Sequence, residues 1–284
     1  MRLLGAGDNV VDRYRRLGIM FPGGNAVNVA VFAARLGAQS SYLGVVGSDE
    51  AGQHVLRSLT QEGVDTSLTR TAAGPNAYAD VDSVGADRVF LGSGKGVALF
   101  APDEGQLDAM ERFDVVHAGY AGSLFPHLAA MAARTRVSFD FGTRMDLAEA
   151  EPMLPHLFLA AFSSSHRDDG QSVALARDVV AAGATYALVT RGSEGAYLAS
   201  ANWVLHQPAD LVQVVDTLGA GDAFISSVLV GLLAGRDKRA VLASASAHAA
   251  QVCLAPGAFG HGTPFRPATD AGTPARHDKT EVNR

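Results

Sequence analysis

Short apolar segments, each about the length of one β-strand, alternate with longer segments of helical periodicity along most of this sequence. This alternation predicts βαβ units, and therefore an α/β fold with a mostly parallel sheet and helices on both faces. In such folds ligands bind beyond the carboxyl ends of the strands. The predicted strands span residues 2–7, 40–46, 115–118, 137–141, 157–162 and 184–190, and the predicted helices span residues 26–36, 52–62, 124–133, 172–182, 220–234 and 238–253.

Two segments interrupt the alternation because they lack a long crossover helix. Residues 10–20 and about 77–98 combine β-branched, aromatic and polar residues with turn signals. They predict a small antiparallel β-sheet beside the main one, which would serve as a lid or as a homodimer surface. From residue 263 the composition changes to Pro, Thr, Asp, Arg and Lys. We therefore predict one domain over residues 1–262 and a disordered tail over residues 263–284.

The charge balance and the cysteine content exclude several classes of protein. The chain has 23 basic and 29 acidic residues, a net charge of −6, and its basic residues are not clustered, which argues against a nucleic-acid partner. Cys253 is the only cysteine, so the chain has no internal disulfide, and this fits a reducing compartment. No apolar segment approaches the about 20 residues that a membrane span needs. We expect a cytoplasmic protein without a membrane partner.

The segment "DTLGAGDAF", residues 216–224, predicts an anion-binding site. Gly219, Ala220 and Gly221 allow a tight turn directly before a helix, so unpaired backbone N–H groups and the positive end of the helix dipole face any ligand there. Asp222 lies within the first turn of that helix. A carboxylate there can take a proton from a hydroxyl that attacks a bound phosphate. The alternative interpretation is that Asp222 only caps the helix.

This segment resembles the C-terminal signature of the ribokinase-like (PfkB) carbohydrate kinases. Residues 22–52, "PGGNAVNVAVFAARLGAQSSYLGVVGSDEAG", resemble the N-terminal signature of the same family. The resemblance covers about residues 1–260. It implies a three-layer α/β/α fold with a β lid, and ATP-dependent phosphorylation of a sugar. It also implies that Asp222 is the catalytic base and that the anion hole is formed by the backbone N–H groups of Gly219, Ala220, Gly221 and Asp222.

The segment "GGNAVNVAV", residues 23–31, predicts a sugar-binding site at the start of a helix. Asn25 and Asn28 lie three residues apart, so both amides can face one cleft, and an amide can both donate to and accept from sugar hydroxyls. Alternatively, Asn25 caps the helix and Asn28 is an ordinary buried polar residue. Asp8 and Asp12 could also hold hydroxyls, or could be ordinary turn or surface acids. Together with the family resemblance, these arguments give the sugar-site candidates Asp8, Asp12, Gly23, Gly24, Asn25 and Asn28.

The segment "TRGSEG", residues 190–195, follows a predicted strand and is the candidate nucleotide site. Its glycines allow a sharp turn at the edge of the sheet where the resemblance places ADP, although taken alone it could be a plain hairpin turn. Other phosphate motifs fail, because Val89 and Gly96 stand at two essential positions of the best Walker-type candidate. For His248 a core or surface role is the alternative. The nucleotide-site candidates are Thr190, Gly192, Gly195, Thr217 and His248.

The resemblance implies ATP and Mg²⁺ as cofactors, but one expected metal element is altered. Related kinases carry N-x-x-E after a middle strand, where this sequence reads "FSSSHRDDG" from residue 162 to residue 170. Asp168, acting through water, or Asp169 could replace the glutamate, and Ser163 or Ser165 could replace the asparagine. Asp216, near residues 254–257, is the candidate site for a K⁺ ion.

Several short segments resemble the fructoselysine 6-kinases within this family more than ribokinase. They are "GDNVVD" at 7–12, "GGNAVNVAV" at 23–31, "DRVF" at 87–90, "FDVVHAG" at 113–119 and "DFG" at 140–142. Such enzymes phosphorylate the 6-hydroxyl of a fructosamine, an amino acid joined to a sugar, and Arg88 on the predicted lid is the candidate for binding its carboxylate. A solvated surface is the alternative for Arg88. Phosphorylation of ribose, fructose or adenosine, or a non-catalytic role as a sugar- or nucleotide-binding protein, are alternative functions.

Overall fold

The strands form one large sheet and two smaller ones. The structure, a computed structural model, describes residues 1–84 and 87–265, and for residues 82–84 and 87–90 it describes the backbone alone. In chain order the strands are β1 (Arg2–Ala6), β2 (Val10–Tyr14), β3 (Ile19–Gly23), β4 (Gln39–Leu43), β5 (Val45–Gly47), β6 (Arg70–Ala72), β7 (Tyr78–Val84), β8 (Asp87–Gly94), β9 (Val115–Gly119), β10 (Arg136–Asp140), β11 (Leu159–Ser163), β12 (Tyr186–Thr190), β13 (Ala196–Ser200), β14 (Trp203–Gln207) and β15 (Thr263–Pro264).

Most of the described helices begin in one of two ways. They are α1 (Asn25–Arg35), α2 (Glu50–Gln61), α3 (Glu104–Ala109), α4 (Leu128–Ala132), α5 (Leu147–Ala150), α6 (Asp169–Ala181), α7 (Ala220–Leu233) and α8 (Lys238–Val252). Aspartate side chains cap α2, α3, α5, α6 and α8, as the preference for this residue at helix starts predicts. In contrast, α1 and α7 begin at Gly24 and Gly219, which have no side chain to occupy the first N–H groups. Within the described part of the chain, no helix is long and apolar enough to cross a membrane.

The central sheet confirms the predicted α/β architecture. Its strand order is β14-β13-β12-β11-β10-β9-β1-β4, and the strands from β4 to β12 pair in parallel. Neighbouring residues point to opposite faces of the sheet. Leu4 and Val116 pack with α3, α4 and α6, whereas Leu3 and Val115 pack with α1, α7 and α8. Helices therefore cover both faces, and the fold has three layers.

The second sheet contains the predicted lid segments. Its strand order is β15-β3-β2-β7-β8. Three of its pairs are antiparallel as expected, but β2 and β7 pair in parallel, which sequence periodicity cannot reveal because it is the same for both directions. Thr263 and Pro264, the first residues of the predicted tail, pair with Met20 and Ile19. Residues 266–284 of that tail lie outside the described residues.

The central sheet and its flanking helices differ from the prediction in the following features. The single strand predicted over residues 40–46 divides into β4 and β5 at Gly44, where a Cβ atom would lie 2.1 Å from the Tyr42 hydroxyl. The helix predicted over residues 124–133 is shorter, because a 3-10 turn with Pro126 precedes α4. The hairpin of β13 and β14 is absent from the prediction. β13 pairs antiparallel with β12. Within the hairpin, β13 pairs with β14, and Ala196 lies opposite Gln207 at one end and Ser200 opposite Trp203 at the other.

Candidate active site

The turn before α7 has the geometry that the glycines predict. Gly219 has a φ of 78°, and a Cβ atom there would lie 2.6 Å from the Cβ of Ala258, so a side chain would be both strained and crowded. The N–H of Ala220 donates to the Thr217 carbonyl at 3.3 Å, so one of the four predicted anion-hole donors already has a partner. The N–H groups of Gly221 and Asp222 belong to the first turn, where a helix offers no acceptor.

The carboxylate of Asp222 is held from across the cleft. Oδ1 accepts from Asn25 Nδ2 at 2.7 Å, and Oδ2 accepts from Asn28 Nδ2 at 2.6 Å. Both oxygens thus bind side chains of α1, which argues against the alternative that Asp222 serves as a helix cap. Two segments that lie almost 200 residues apart in sequence meet at this carboxylate.

Asp8 provides the cap that α1 lacks. Its carboxylate accepts from the N–H groups of Asn25 at 2.9 Å and Ala26 at 3.3 Å. The side chain of Asn25 is therefore not a cap, as the alternative interpretation required, and it faces the cleft instead. Gly24 has a φ of 109°, and a Cβ atom there would lie 2.8 Å from the Cα of Asn9. The start of α1 can approach Asp8 this closely only with glycine.

An unpaired oxygen marks one side of the cleft as a candidate ligand site. Asn28 Oδ1 is buried and has no hydrogen-bond partner among the described residues. Buried polar atoms without a partner are rare, and at a binding site they indicate a donor supplied by a ligand. Asp12 on β2 is buried nearby: a Cβ atom on Gly23 would lie 2.6 Å from Asp12 Oδ2 and 3.7 Å from Asn28 Oδ1. These groups fit a ligand with several hydroxyls.

Two polar residues of the cleft were not among the predicted site residues. Asp140, at the end of β10, accepts from Asn25 Nδ2 at 3.0 Å and from the Gly142 N–H at 2.9 Å. His117 is fully buried in β9, with Nε2 at 2.9 Å from Asn25 Oδ1. A sequence signal for both exists, since Asp140 is an acid at the carboxyl end of a parallel strand, where ligands of such sheets bind, and His117 interrupts an otherwise apolar strand.

Burial raises the pKa values of the three clustered carboxyl groups, and repulsion by neighbouring carboxylates adds to the effect for Asp140 and Asp222. The pKa of Asp222 is raised to about 7, chiefly by desolvation and further by the charges of Asp140 and Asp8, against the lowering effect of the Asn28 and Asn25 amides. Desolvation and the charge of Asp8 raise the pKa of Asp140 to about 6. The pKa of Asp8 is also raised by burial. A carboxylate with a pKa near 7 is well matched to a general base at neutral pH.

The raised pKa of Asp222 predicts how the reaction depends on pH. A base must be deprotonated to act, so kcat/KM for the acceptor, which reports the enzyme without bound acceptor, should be constant above about pH 8 and should fall below about pH 7, approaching tenfold per pH unit. The measurement is kcat/KM for the acceptor between pH 5 and pH 9, in buffers of constant ionic strength. A carboxylate with its ordinary pKa near 4 would leave the rate unchanged down to about pH 5, and that result would contradict the assignment.

A cavity of about 410 Å³ lies beside the start of α7. Its lining includes four of the predicted nucleotide-site residues, namely Thr190, Gly192, Gly195 and Thr217, together with Ala220 and Gly221. Residues 190–195 form the hairpin turn between β12 and β13, as the plain-turn interpretation held, and the nucleotide-site interpretation of this segment stays a prediction. The position at the carboxyl edge of the sheet and beside a helix N-terminus fits a nucleotide with its phosphates toward α7.

The structure does not bring His248 to this cavity. Its Nδ1 lies 2.8 Å from Ser227 Oγ, and its ring packs edge-on against Phe32. Burial lowers the pKa of His248. This side chain therefore occupies the packed region between α1, α7 and α8, as its alternative interpretation held.

The predicted metal residues are engaged by the protein itself. Asp168 caps α6 through Oδ1, which accepts from the Gln171 N–H at 2.8 Å, and Asp169 pairs with Arg191. Ser163 and Ser165 line the cavity. Within residues 1–84 and 87–265 no group of three or more His, Cys, Asp or Glu side chains could hold a metal ion. The exposed carboxylate of Asp168 and the hydroxyls of Ser163 and Ser165 are oxygen ligands of the kind that Mg²⁺ accepts.

Asp216 joins three parts of the chain. Oδ1 accepts from the Leu218 N–H at 3.0 Å, and Oδ2 accepts from the Gly257 N–H at 2.9 Å and from the Tyr14 hydroxyl. The predicted neighbourhood of Asp216 and residues 254–257 is therefore present. The side chain of Arg88 lies outside the described residues, although its backbone belongs to β8.

Comparisons with known proteins relate this chain to carbohydrate kinases. The family model of the pfkB family carbohydrate kinases matches residues 18–136 and 149–264. The fructosamine kinase FrlD of Bacillus subtilis (strain 168) is 38% identical to the chain over 272 residues, which cover 94% of this chain and 95% of that protein. The fructoselysine 6-kinase of Escherichia coli (strain K12) is 37% identical over 257 residues, which cover 89% of this chain and 97% of that protein.

A solved structure supports the same fold. The ribokinase of Arabidopsis thaliana, complexed with ribose and ATP, has a TM-score of 0.75 to this chain at 18% identity, and the match covers 90% of this chain and 93% of that one. It confirms the ribokinase-like α/β/α architecture with its added β-sheet. Because the family model and the related kinases match most of its length, this chain belongs to the pfkB family of carbohydrate kinases and is an ATP-dependent sugar kinase.

Proposed function

We propose that this kinase transfers the γ-phosphoryl group of ATP to the 6-hydroxyl of a fructosamine such as fructoselysine, with Asp222 as the general base. One observation carries the proposal: the Asp222 carboxylate, with its pKa raised to about 7, is held by Asn25 and Asn28 between a polar cleft and the start of α7. A hydroxyl in the cleft would lie beside the carboxylate, and a phosphate at the helix terminus would lie beside the hydroxyl.

In the proposed step Asp222 removes the hydroxyl proton as the oxygen attacks. The bond from the hydroxyl oxygen to the γ-phosphorus forms while the bond to the bridging oxygen breaks, and ADP leaves with that electron pair. The N–H groups of Gly219, Gly221 and Asp222 would stabilise the charge on the transferred group, with a smaller share for Ala220 because of its bond to Thr217. Mg²⁺, when bound to the nucleotide, neutralises phosphate charge, and Asp168 acting through water is the proposed protein contribution.

The sugar is proposed to bind between α1 and the second sheet. Asn28 Oδ1 would accept from one hydroxyl, since it lacks a partner among the described residues. Asp8 and Asp12 would accept from others, and the absence of side chains at Gly23 and Gly24 leaves room for the close approach. The homodimer through this sheet and the contact of Arg88 with the substrate carboxylate remain predictions.

The charge of the cleft favours an amine-containing sugar over a neutral one. Burial chiefly raises the pKa values of Asp140 and Asp222, and repulsion by the neighbouring carboxylates of this cluster raises them further. The secondary amine of a fructosamine carries a proton at neutral pH, and a nearby positive charge would relieve this repulsion. The names of the related fructosamine and fructoselysine kinases support the same substrate class.

A substrate panel tests the proposed acceptor. ADP release is measured with fructoselysine, fructose, ribose and adenosine, each over a range of concentrations that yields kcat/KM. We expect fructoselysine to have the highest kcat/KM. A higher value for one of the neutral acceptors would contradict the fructosamine proposal and leave the kinase reaction intact. Binding of nucleotide without ADP release from any acceptor would instead favour a non-catalytic binding protein.

The K⁺ proposal predicts a dependence on the monovalent cation. A K⁺ ion near Asp216 and residues 254–257 would lie behind the turn that presents Gly219 and Gly221, and would hold it in place. We therefore expect faster ADP release in potassium chloride than in choline chloride at equal ionic strength. Equal rates would contradict the site, because the carboxylate of Asp216 would then need no ligand beyond the Leu218, Gly257 and Tyr14 donors that it already has.

A further inference from the structure

A chain of hydrogen bonds leads from the interior of the central sheet to Asp222. His117 Nδ1 lies 3.0 Å from Ser138 Oγ on β10, and His117 Nε2 lies 2.9 Å from Asn25 Oδ1. Asn25 Nδ2 then donates to Asp222 at 2.7 Å and to Asp140 at 3.0 Å. This series of hydrogen bonds thus connects two neighbouring strands, through Asn25 of α1, to the proposed base.

The surroundings fix the tautomer of His117. An amide oxygen only accepts hydrogen bonds, so Nε2 carries the proton and donates to Asn25 Oδ1. Nδ1 is then an acceptor, and the Ser138 hydroxyl donates to it. Burial lowers the pKa of His117 to about 3, so the ring stays neutral at any pH at which the enzyme works.

The ring decides which end of the Asn25 amide faces the carboxylates. Both ends have nearly the same size, so shape alone does not select between them. A half-turn of the amide would place Oδ1 beside Asp140 and Asp222, where three acceptors would repel one another. It would also leave the His117 N–H facing an NH₂ group. The N–H of His117 and the two carboxylates therefore enforce a single orientation.

We infer that His117 is a positioning residue for phosphoryl transfer, because its Nε2–H holds the Asn25 amide in the orientation that aims the Asp222 carboxylate at the acceptor hydroxyl. The inference rests on the proposed role of Asp222. Donation from Asn25 also favours the charged form of Asp222 against the effect of its neighbours. The charged and titratable groups around this carboxylate are Asp140 at the end of β10, Asp8 after β1 and Tyr120 after β9, with Lys95 after β8 acting on Asp8.

Two substitutions of His117 separate positioning from packing. His117→Gln places an amide nitrogen near the position of Nε2 and can still donate to Asn25. His117→Asn carries its amide near the position of Nδ1 and cannot reach Asn25. We expect His117→Asn to lower kcat roughly tenfold to a hundredfold with little change in KM, since small misplacements of reacting groups have effects of this size. We expect His117→Gln to retain most of the wild-type kcat.

The pH profile distinguishes the positioning role from loss of folded enzyme. In His117→Asn the acid limb of kcat should move to higher pH, because Asp222 loses a donor that favours its charged form. The position of the limb does not depend on how much of the enzyme is folded. An unmoved limb, or equal losses of kcat in the two variants, would overturn the inference. If His117→Asn does not fold, His117→Leu, which fills the buried position but has no N–H to donate to Asn25, should move the limb in the same direction, and an unmoved limb would again overturn the inference.

Two further variants show whether a negative result contradicts the role of His117 or the role of Asp222. In an Asn25→Ala background, His117→Asn should cause no additional loss of kcat, because residues that act through one another are not additive. An additive loss would mean that His117 does not act through Asn25. Full activity of Asp222→Asn would refute the proposed base. An inactive Asp222→Asn beside an unmoved His117→Asn limb would refute only the positioning role.

Discussion

Asp222→Asn is expected to lower kcat by about 10²–10⁴-fold and to leave KM almost unchanged, the effect of removing a general base. The amide has the shape of the carboxylate and can still accept from one of the two asparagines on α1, but it cannot take a proton from the acceptor hydroxyl. The loss should therefore fall on the chemical step and spare the binding of sugar and nucleotide. Initial rates of ADP release over both substrate concentrations give kcat and the two KM values.

Asp108→Asn is the matched control for this substitution. Asp108 lies on α3, where it is exposed and pairs with Arg134, far from the cleft. The same chemical change there should leave the kinetics at wild-type values. Retained activity of Asp222→Asn would exclude Asp222 as the base, whereas a raised sugar KM at unchanged kcat would assign it to substrate binding.

Asn25→Asp is expected to lower kcat at pH 7 by about 10²-fold or more, because it leaves Asp222 in place but keeps its carboxyl group protonated. The substitution keeps the shape of the side chain but exchanges the Nδ2 donor for an acceptor, at 2.7 Å from Asp222 and 3.0 Å from Asp140. Carboxyl groups this close share protons, and the pKa values of the cluster must rise further. At neutral pH Asp222 would then be largely protonated or bound by a protonated neighbour.

The pH dependence of this variant provides the decisive measurement. The rate of Asn25→Asp should recover in part as pH rises toward 9, since the carboxyl groups of the enlarged cluster then ionise, while the wild-type rate is already constant. Asn202→Asp adds the same charge to the exposed turn between β13 and β14 and serves as the control, with expected wild-type rates. If Asn25→Asp and the wild type have parallel pH profiles, the Asn25 amide does not control the ionisation of Asp222.

Local sequence patterns were sufficient to predict the turn at Gly219, the glycines before α1 and the six parallel strands of the central sheet, but not α3, α5 or the β13–β14 hairpin. Each of the predicted features depends on neighbouring residues, through glycine conformation, helix starts and hydrophobic periodicity. The pair Asn25 and Asn28 was also predictable, because residues three apart on a helix share a face.

The partners of these residues were not predictable in the same way. The contact of Asn25 with Asp222 joins positions 197 residues apart, and which end of the amide faces the carboxylates depends on His117 from a third segment. Burial also decides the pKa of Asp222, and burial results from packing over the whole chain. Likewise, the parallel pairing of β2 with β7 leaves no trace in either strand alone, because the side-chain alternation is the same in both directions.

The register of the edge hairpin has a practical consequence for titrations of this enzyme. Trp203, the only tryptophan, lies opposite Ser200, at the end of the hairpin remote from Ala196 and Gln207, which adjoin the cavity side of β12. Its fluorescence therefore reports unfolding of the sheet from a position outside the cavity lining. Denaturation midpoints recorded with and without ATP or sugar thus yield affinities through mass action, even for variants that have no turnover.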